Sequence, residues 1–177
     1  ITVTGDAFNA FVFLEISSLS TYVLIALGRD RRAPMAAFQY LIMATIGATF
    51  FVIGVGMLYL MTGTLNIADM AERIAAVRET RPVLAALAFI TVGMTLKLAL
   101  FPLHQWLPNA YTFAPSVVSA FLAATATKVS IYVLVRFYFT VFGASQVFGR
   151  LPMGEVLLVL ALLGMFAAST IAIFQPD

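Results

Sequence analysis

The sequence predicts an all-α membrane protein: a polytopic bundle of five spanning helices, one of them interrupted near Pro102. Three observations predict it. The 177 residues are 62% hydrophobic and 10% charged, with a mean hydropathy of +1.02. A soluble domain carries about 25% charged residues and needs them to cover its wet surface. Five apolar runs reach the ~20 residues that a helix needs to cross a bilayer. The short alternating segments of a β-barrel are missing. Backbone groups in lipid must be satisfied within their own segment, so the runs are helices.

The first run covers residues 7–27 and the second 36–62, joined by "GRDRRAP". The next connection, "GTLNIADMAERIAAVRETR", carries Ile67, Met70, Ile74 and Val77 at helical spacing. It predicts a short helix lying at the interface. The third run, 83–107, contains Pro102. A helical proline there cannot donate to the Leu98 carbonyl, and its ring clashes with it. A freed carbonyl is therefore expected beside Lys97. Trp106 fits an interfacial anchor. "PNAYTFAPS" leads to the fourth run, 116–142, and "GASQVFGRL" to the fifth, 152–174. Residues 1–177 read as one transmembrane domain. Both ends read as cut, so a fragment of a larger polytopic protein is expected. Alternate loops hold Arg29, Arg31 and Arg32 against Arg73, Arg78, Arg81 and Arg150. Positive charge therefore does not decide the orientation.

Several function classes fall away. There is no cysteine, hence no disulfide frame or thiolate site. A formal charge of +2 does not point to nucleic acid. No Rossmann glycines and no haem or metal cluster are present, so no cofactor and no metal are expected. The immediate partner is the lipid bilayer.

Three ionisable residues fall near the middle of spanning runs: Glu15, Lys97 and Lys128. A charge at the helix centre costs about 2.5–3.5 kcal/mol on insertion scales. Intramembrane acids and bases therefore mark proton or ion paths, or structural bridges. A lysine taken out of water holds its proton less tightly, and a nearby carboxylate restores that hold. Moving the carboxylate would switch such a lysine between keeping and releasing a proton. Thr125, Lys128, Tyr132 and Arg136 share one helix face by their spacing. Ser18 and Tyr22 continue the face of Glu15. His104, the one histidine, is a further candidate for relay support. A quinone-binding redox protein, resting on His104 and Tyr111, is the alternative of a different class. A structural membrane anchor is the third.

The stretch "LKLALFPLHQWLPNAYTFAPSVVSAFLAATATKVSIYVLVRF" resembles the hallmark of the proton-conducting membrane transporter family. That family includes the antiporter-like subunits of respiratory complex I, of membrane-bound hydrogenases and of Mrp-type cation/proton antiporters. "GDAFNAFVFLEISSLSTYVLIALGR" resembles the family's helix with the essential glutamate. The resemblance covers nearly the whole chain. It implies that Glu15 modulates a central lysine, that Lys97 is the lysine at a broken helix, and that Lys128 passes protons onward. It implies most of the first of two inverted repeats, with a second half-channel beyond Asp177. It places the "RDRR" loop in the cytoplasm, which implies a multi-pass protein of a bacterial inner membrane. Partner membrane subunits are implied, with protons and Na⁺ as the candidate ions. Where the family often has an aspartate this chain has Asn109, so no acidic role carries over there. "EISSLS" and "GTLNIADMAE" look nearer to the D-type member of the Mrp cation/proton antiporters. The alternative is a proton-pumping member of an NADH-quinone oxidoreductase (NADH dehydrogenase) or a membrane-bound hydrogenase.

Overall fold

The computed structural model describes residues 1–174; the last three residues of the expected 1–177 domain lie outside them. Seven α-helices follow in order: α1 (Ala7–Ala26), α2 (Ala33–Thr62), α3 (Ile67–Ile74), α4 (Arg81–Leu98), α5 (Trp106–Phe113), α6 (Ser116–Arg136) and α7 (Met153–Phe174). No strand occurs among the described residues. Five helices are long and apolar enough to cross a membrane, α6 being counted with its continuation to Phe142. That continuation, Phe137–Phe142, widens into a π-helical turn, and a second π-helical turn, Ser145–Arg150, leads into α7.

The starts of α1 and α3 are pinned together. Asp6 caps α1 by accepting from the Asn9 amide at 2.7 Å, and Asn66 caps α3 through the amides of Ala68 and Asp69. Between the two caps runs a short antiparallel bridge, with Ala7 N donating to Leu65 O at 2.9 Å and Ile67 N to Gly5 O at 2.8 Å. The expected short helix is present, and it buries Ile67, Met70 and Ile74 against the bundle. Pro34 sits in the first turn of α2, where its missing N–H costs nothing.

Helices α2 and α4 form the centre. They approach closely because glycines face each other. A Cβ on Gly93 would stand 2.5 Å from the Gly47 carbonyl oxygen, and one on Gly47 2.9 Å from that of Gly93. Backbone thus meets backbone, the small-residue packing that membrane helices use. α1 and α6 pack on either side of this pair, and their inward faces enclose Phe51, Met94, Phe137 and Phe142. α7 buries no side chain of its own and stands at the periphery.

The third run departs from expectation in its detail. The break is complete, and it begins before Pro102. α4 ends at Leu98, and Ala99 caps it in the left-handed region at φ 55°. The chain then turns through residues 99–105 before α5 begins, and Pro102 lies exposed within that turn. The freed carbonyl differs accordingly. Because the helix has already ended, the carbonyl that is supplied with an outside donor is that of Leu96. Trp106 Nε1 donates to it at 3.1 Å. Trp106 is therefore a correction as well. It is 6% exposed, a buried strut of the break rather than an interfacial anchor.

Candidate functional site

Gly47 lies about 21 Å from one end of α2 and about 23 Å from the other, which is mid-depth. Lys97 is packed against it, since a Cβ on Gly47 would meet Lys97 Cγ at 3.4 Å. The close glycine approach thus sets the height of the lysine. Being next to last in α4, Lys97 leaves the helix where the backbone is about to turn, and it extends toward α1.

Two groups of α1 receive it. Ser18 Oγ accepts a hydrogen bond from Lys97 Nζ at 2.9 Å. The same hydroxyl donates to the Leu14 carbonyl at 2.8 Å, which orients its lone pair toward the lysine. Glu15 Oε1 lies 3.7 Å from Nζ, within ion-pair range but beyond a hydrogen bond. Among the described residues that oxygen has no hydrogen-bond partner. The lysine side chain is 6% exposed and the glutamate 24%. A cation at mid-depth is therefore neutralised by a carboxylate that does not grip it.

Beside the pair is a cavity of about 70 Å³, bordered by Ser17, Ser18, Tyr40, Lys97, Thr125 and Ser130 among others. At about 30 Å³ per water it has room for roughly two molecules with several polar partners. The cavity joins Lys97 and Ser18 to one face of α6, and Glu15 is not part of its border.

The remaining expected residues are placed as follows. Thr125 lines the cavity, its hydroxyl donating to the Phe121 carbonyl at 2.8 Å. Lys128 lies on the open side of α6, exposed, and its ammonium bonds the Ala123 carbonyl of its own helix. It is not brought to the pair. Tyr132 and Arg136 tie α6 to the start of the chain, with Tyr132 OH donating to Thr2 O at 3.1 Å and Arg136 Nη1 to Thr4 O at 2.6 Å. Tyr22 is half-buried against the cluster around Ile25, Tyr40 and Trp106, as is Tyr111. His104 sits in the break with its ring centroid 5.5 Å from that of Phe101, and its Nδ1 has no partner among the described residues.

Tyr40, Ser17 and Ser130 border the cavity and were missed by the sequence reading, Tyr40 being the largest of them. Tyr40 is 7% exposed and meets Trp106 edge to face at 5.2 Å. A signal was present: a phenol within an apolar run, flanked one turn away on each side by the small residues Ala36, Ala37 and Ala44. No group of His, Cys, Asp or Glu that could hold a metal occurs among the described residues.

Comparison with known proteins gives a consistent result. The family model described as NADH:quinone oxidoreductase/Mrp antiporter, TM, matches residues 4–177. The N subunit of the NADH-quinone oxidoreductase of Desulforudis audaxviator is 49% identical over 98% of this chain and 34% of its own length. The D subunit of the Na(+)/H(+) antiporter of Alkalihalophilus pseudofirmus is 33% identical over 98% of this chain and 34% of its own. The chain thus spans about a third of these curated relatives. Among solved structures, a chain of an archaeal membrane-bound sulfane sulfur reductase superposes with a TM-score of 0.73 at 37% identity, covering 77% of this chain and 28% of that one. A chain of the Mrp complex from Dietzia gives 0.71 at 33% identity, covering 79% and 26%. The lean toward the D-type Mrp protein is not specifically favoured, since the relative at 49% identity carries the quinone-oxidoreductase name. The five apolar helices and the transmembrane family make this an integral membrane chain, and the bacterial relatives support an inner-membrane location.

Proposed function

Because the chain belongs to the NADH:quinone oxidoreductase/Mrp antiporter transmembrane family, we propose that it is the part of an antiporter-like subunit that carries a proton through the membrane. The observation behind this reading is the buried Lys97 at mid-depth, bonded to Ser18 and only loosely paired with Glu15. Lys97 holds the travelling proton. With the Glu15 carboxylate close by, the ammonium's charge is balanced and it keeps its proton. With the carboxylate withdrawn, the ammonium is left with a hydroxyl alone, and the proton moves into water in the adjoining cavity. Thr125 and Ser130 of α6 border that cavity, and Lys128 of the same helix takes the proton onward. Lys128 is exposed on α6, with its ammonium bonded to the Ala123 carbonyl. His104, Tyr22 and Tyr132 have no part in this route; the first lies in the break, the others in packing and tethering contacts.

The subunit works inside a multi-subunit membrane complex. The 49% identity to a quinone-oxidoreductase protein favours a redox-driven complex. The 33% identity to a Na(+)/H(+) antiporter protein and the Mrp superposition support exchange against Na⁺ as the second reading. The decisive experiment replaces Lys97 with alanine in the complete complex, reconstituted in vesicles with a pH-sensitive dye. The complex is expected to assemble and to lose proton flux. Normal assembly with unchanged flux refutes the relay. Driving wild-type vesicles first with reductant and then with a Na⁺ gradient separates the two modes of coupling.

A further inference from the structure

At the end of the bundle that carries α3, two features lie next to each other. The first is a polar cavity of about 560 Å³ between the α3–α4 connection and the π-helical turn Ser145–Arg150, bordered by Arg78, Glu79, Gln146 and Arg150. Glu79 pairs with Arg150 and cancels one charge. Arg78 makes no ion pair among the described residues, and its buried Nε has no hydrogen-bond partner among them. A buried donor left in this state calls for an ion or polar group. The second feature is an apolar groove of about 470 Å³ between α4, the turn after it and α7, bordered by Leu84, Leu87, Phe101, Leu157 and Leu160. Thr91 and Thr95 also border it, but their hydroxyls donate to the Leu87 and Val92 carbonyls.

The two features are bordered by neighbouring residues. Thr80 and Arg150 border the cavity; Leu84, one turn along α4, and Leu151, the next residue, border the groove. From Leu84 to Thr95 α4 rises about 16 Å, close to half of a hydrocarbon core of about 30 Å.

We propose that cavity and groove together form a binding site for one anionic phospholipid. Its phosphate sits between Arg78 and Arg150, and one acyl chain lies along the groove. Guanidinium groups match phosphate in charge and in geometry. The groove is apolar along its length, at the depth where acyl chains are the solvent. Head and tail features also stand at the relative heights that a lipid in that leaflet requires. Such a lipid touches α4, the π-helical turn and α7 at once. It fastens α7, which has no fully buried side chain and packs on the core only through partly buried residues such as Met153 and Leu157.

The test uses the full-length subunit in its complex, purified in mild detergent and examined by native mass spectrometry. Phosphatidylglycerol and phosphatidylcholine of identical acyl chains are added separately. Wild type is expected to retain phosphatidylglycerol about five-fold better or more, in line with the attraction of each arginine for an anionic headgroup. The double substitution R78Q/R150Q abolishes this preference. Leu157→Trp fills the groove and lowers retention with both arginines intact. The stoichiometry of the complex in the same spectra reports assembly, and Leu157→Trp carries the test if the double variant does not assemble. Equal retention of the two lipids by wild type overturns the proposal. So does unchanged phosphatidylglycerol retention in either assembled variant. Displacement of the lipid by inorganic phosphate, with Leu157→Trp silent, means an anion site without a lipid. A polypeptide segment seen filling the groove in the complete subunit overturns it as well.

Discussion

At the residue scale, the pair Glu15–Lys97 was legible because charge in lipid is expensive, so any ionisable residue within an apolar run stands out. Ser18 was legible only as a residue on the same face as Glu15. That it takes the lysine's hydrogen bond at 2.9 Å while the carboxylate waits at 3.7 Å depends on how α1 and α4 are set against each other. The division of labour is testable. Ser18→Ala removes a hydrogen bond to a charged group, worth about 1.5–3 kcal/mol. It is expected to leave assembly intact and to slow proton flux about ten-fold or more in dye-loaded vesicles; an unchanged rate excludes Ser18 from the path. Glu15→Gln keeps the shape of the side chain but not its charge. Flux is expected to fall to near background, while the amount of assembled complex on native gels stays within about two-fold of wild type, because the group removed is partly exposed.

At the element scale, the break in the third spanning run was expected from Pro102, yet the structure ends α4 at Leu98. Ala99 in the left-handed region provides the stop, and an alanine there costs about 1–2 kcal/mol that glycine would not. Ala99→Gly is therefore expected to raise the melting temperature of the purified complex or leave it unchanged. Ala99→Val is expected to lower it, because a β-branched residue fits that region still less well. Trp106→Phe removes the indole donor from the Leu96 carbonyl, which keeps the Ala99 amide, at a cost of about 0.5–1.5 kcal/mol. It should lower thermal stability, with a larger effect on flux than a remote substitution of equal cost. Gly93→Ala sets a methyl against the α2 backbone. The expected result is poor assembly, since neither backbone can yield without separating the helices that position Lys97.

At the scale of the whole chain, topology follows from the alternation of the helices. The "RDRR" loop stands at one end of α2, and α3 with the arginine-lined cavity stands at the other. Loop charge alone left the orientation open, and a cytoplasmic "RDRR" loop is the expectation that the family resemblance implies. This stretch contributes no cysteine, so no native thiol of it competes with an introduced one. Arg31→Cys and Glu72→Cys, both at exposed positions, are expected to react with a membrane-impermeant maleimide from opposite sides, Arg31 from the cytoplasmic one. Reaction from the same side contradicts the five-span arrangement, and the reverse pattern contradicts the orientation. Lys128 belongs to this scale too. It is exposed in a chain about a third the length of its relatives, so its partner is a matter for the complete subunit.

The sequence by itself determined the membrane class, the five spans, the short connecting helix and the charged residues at mid-depth. Each of these is a one-dimensional property: the length of an apolar run, its periodicity, or a charge where a charge is costly. The tertiary structure decided which of the charges meet, that Trp106 is a buried strut, and that Tyr40 borders the cavity. It also decided that the backbone turns at Ala99. Those outcomes rest on the approach of α2 to α4 through Gly47 and Gly93 and on the rotation of α1 against them. Contacts between residues far apart in the chain arise from three-dimensional packing, and no local pattern encodes them.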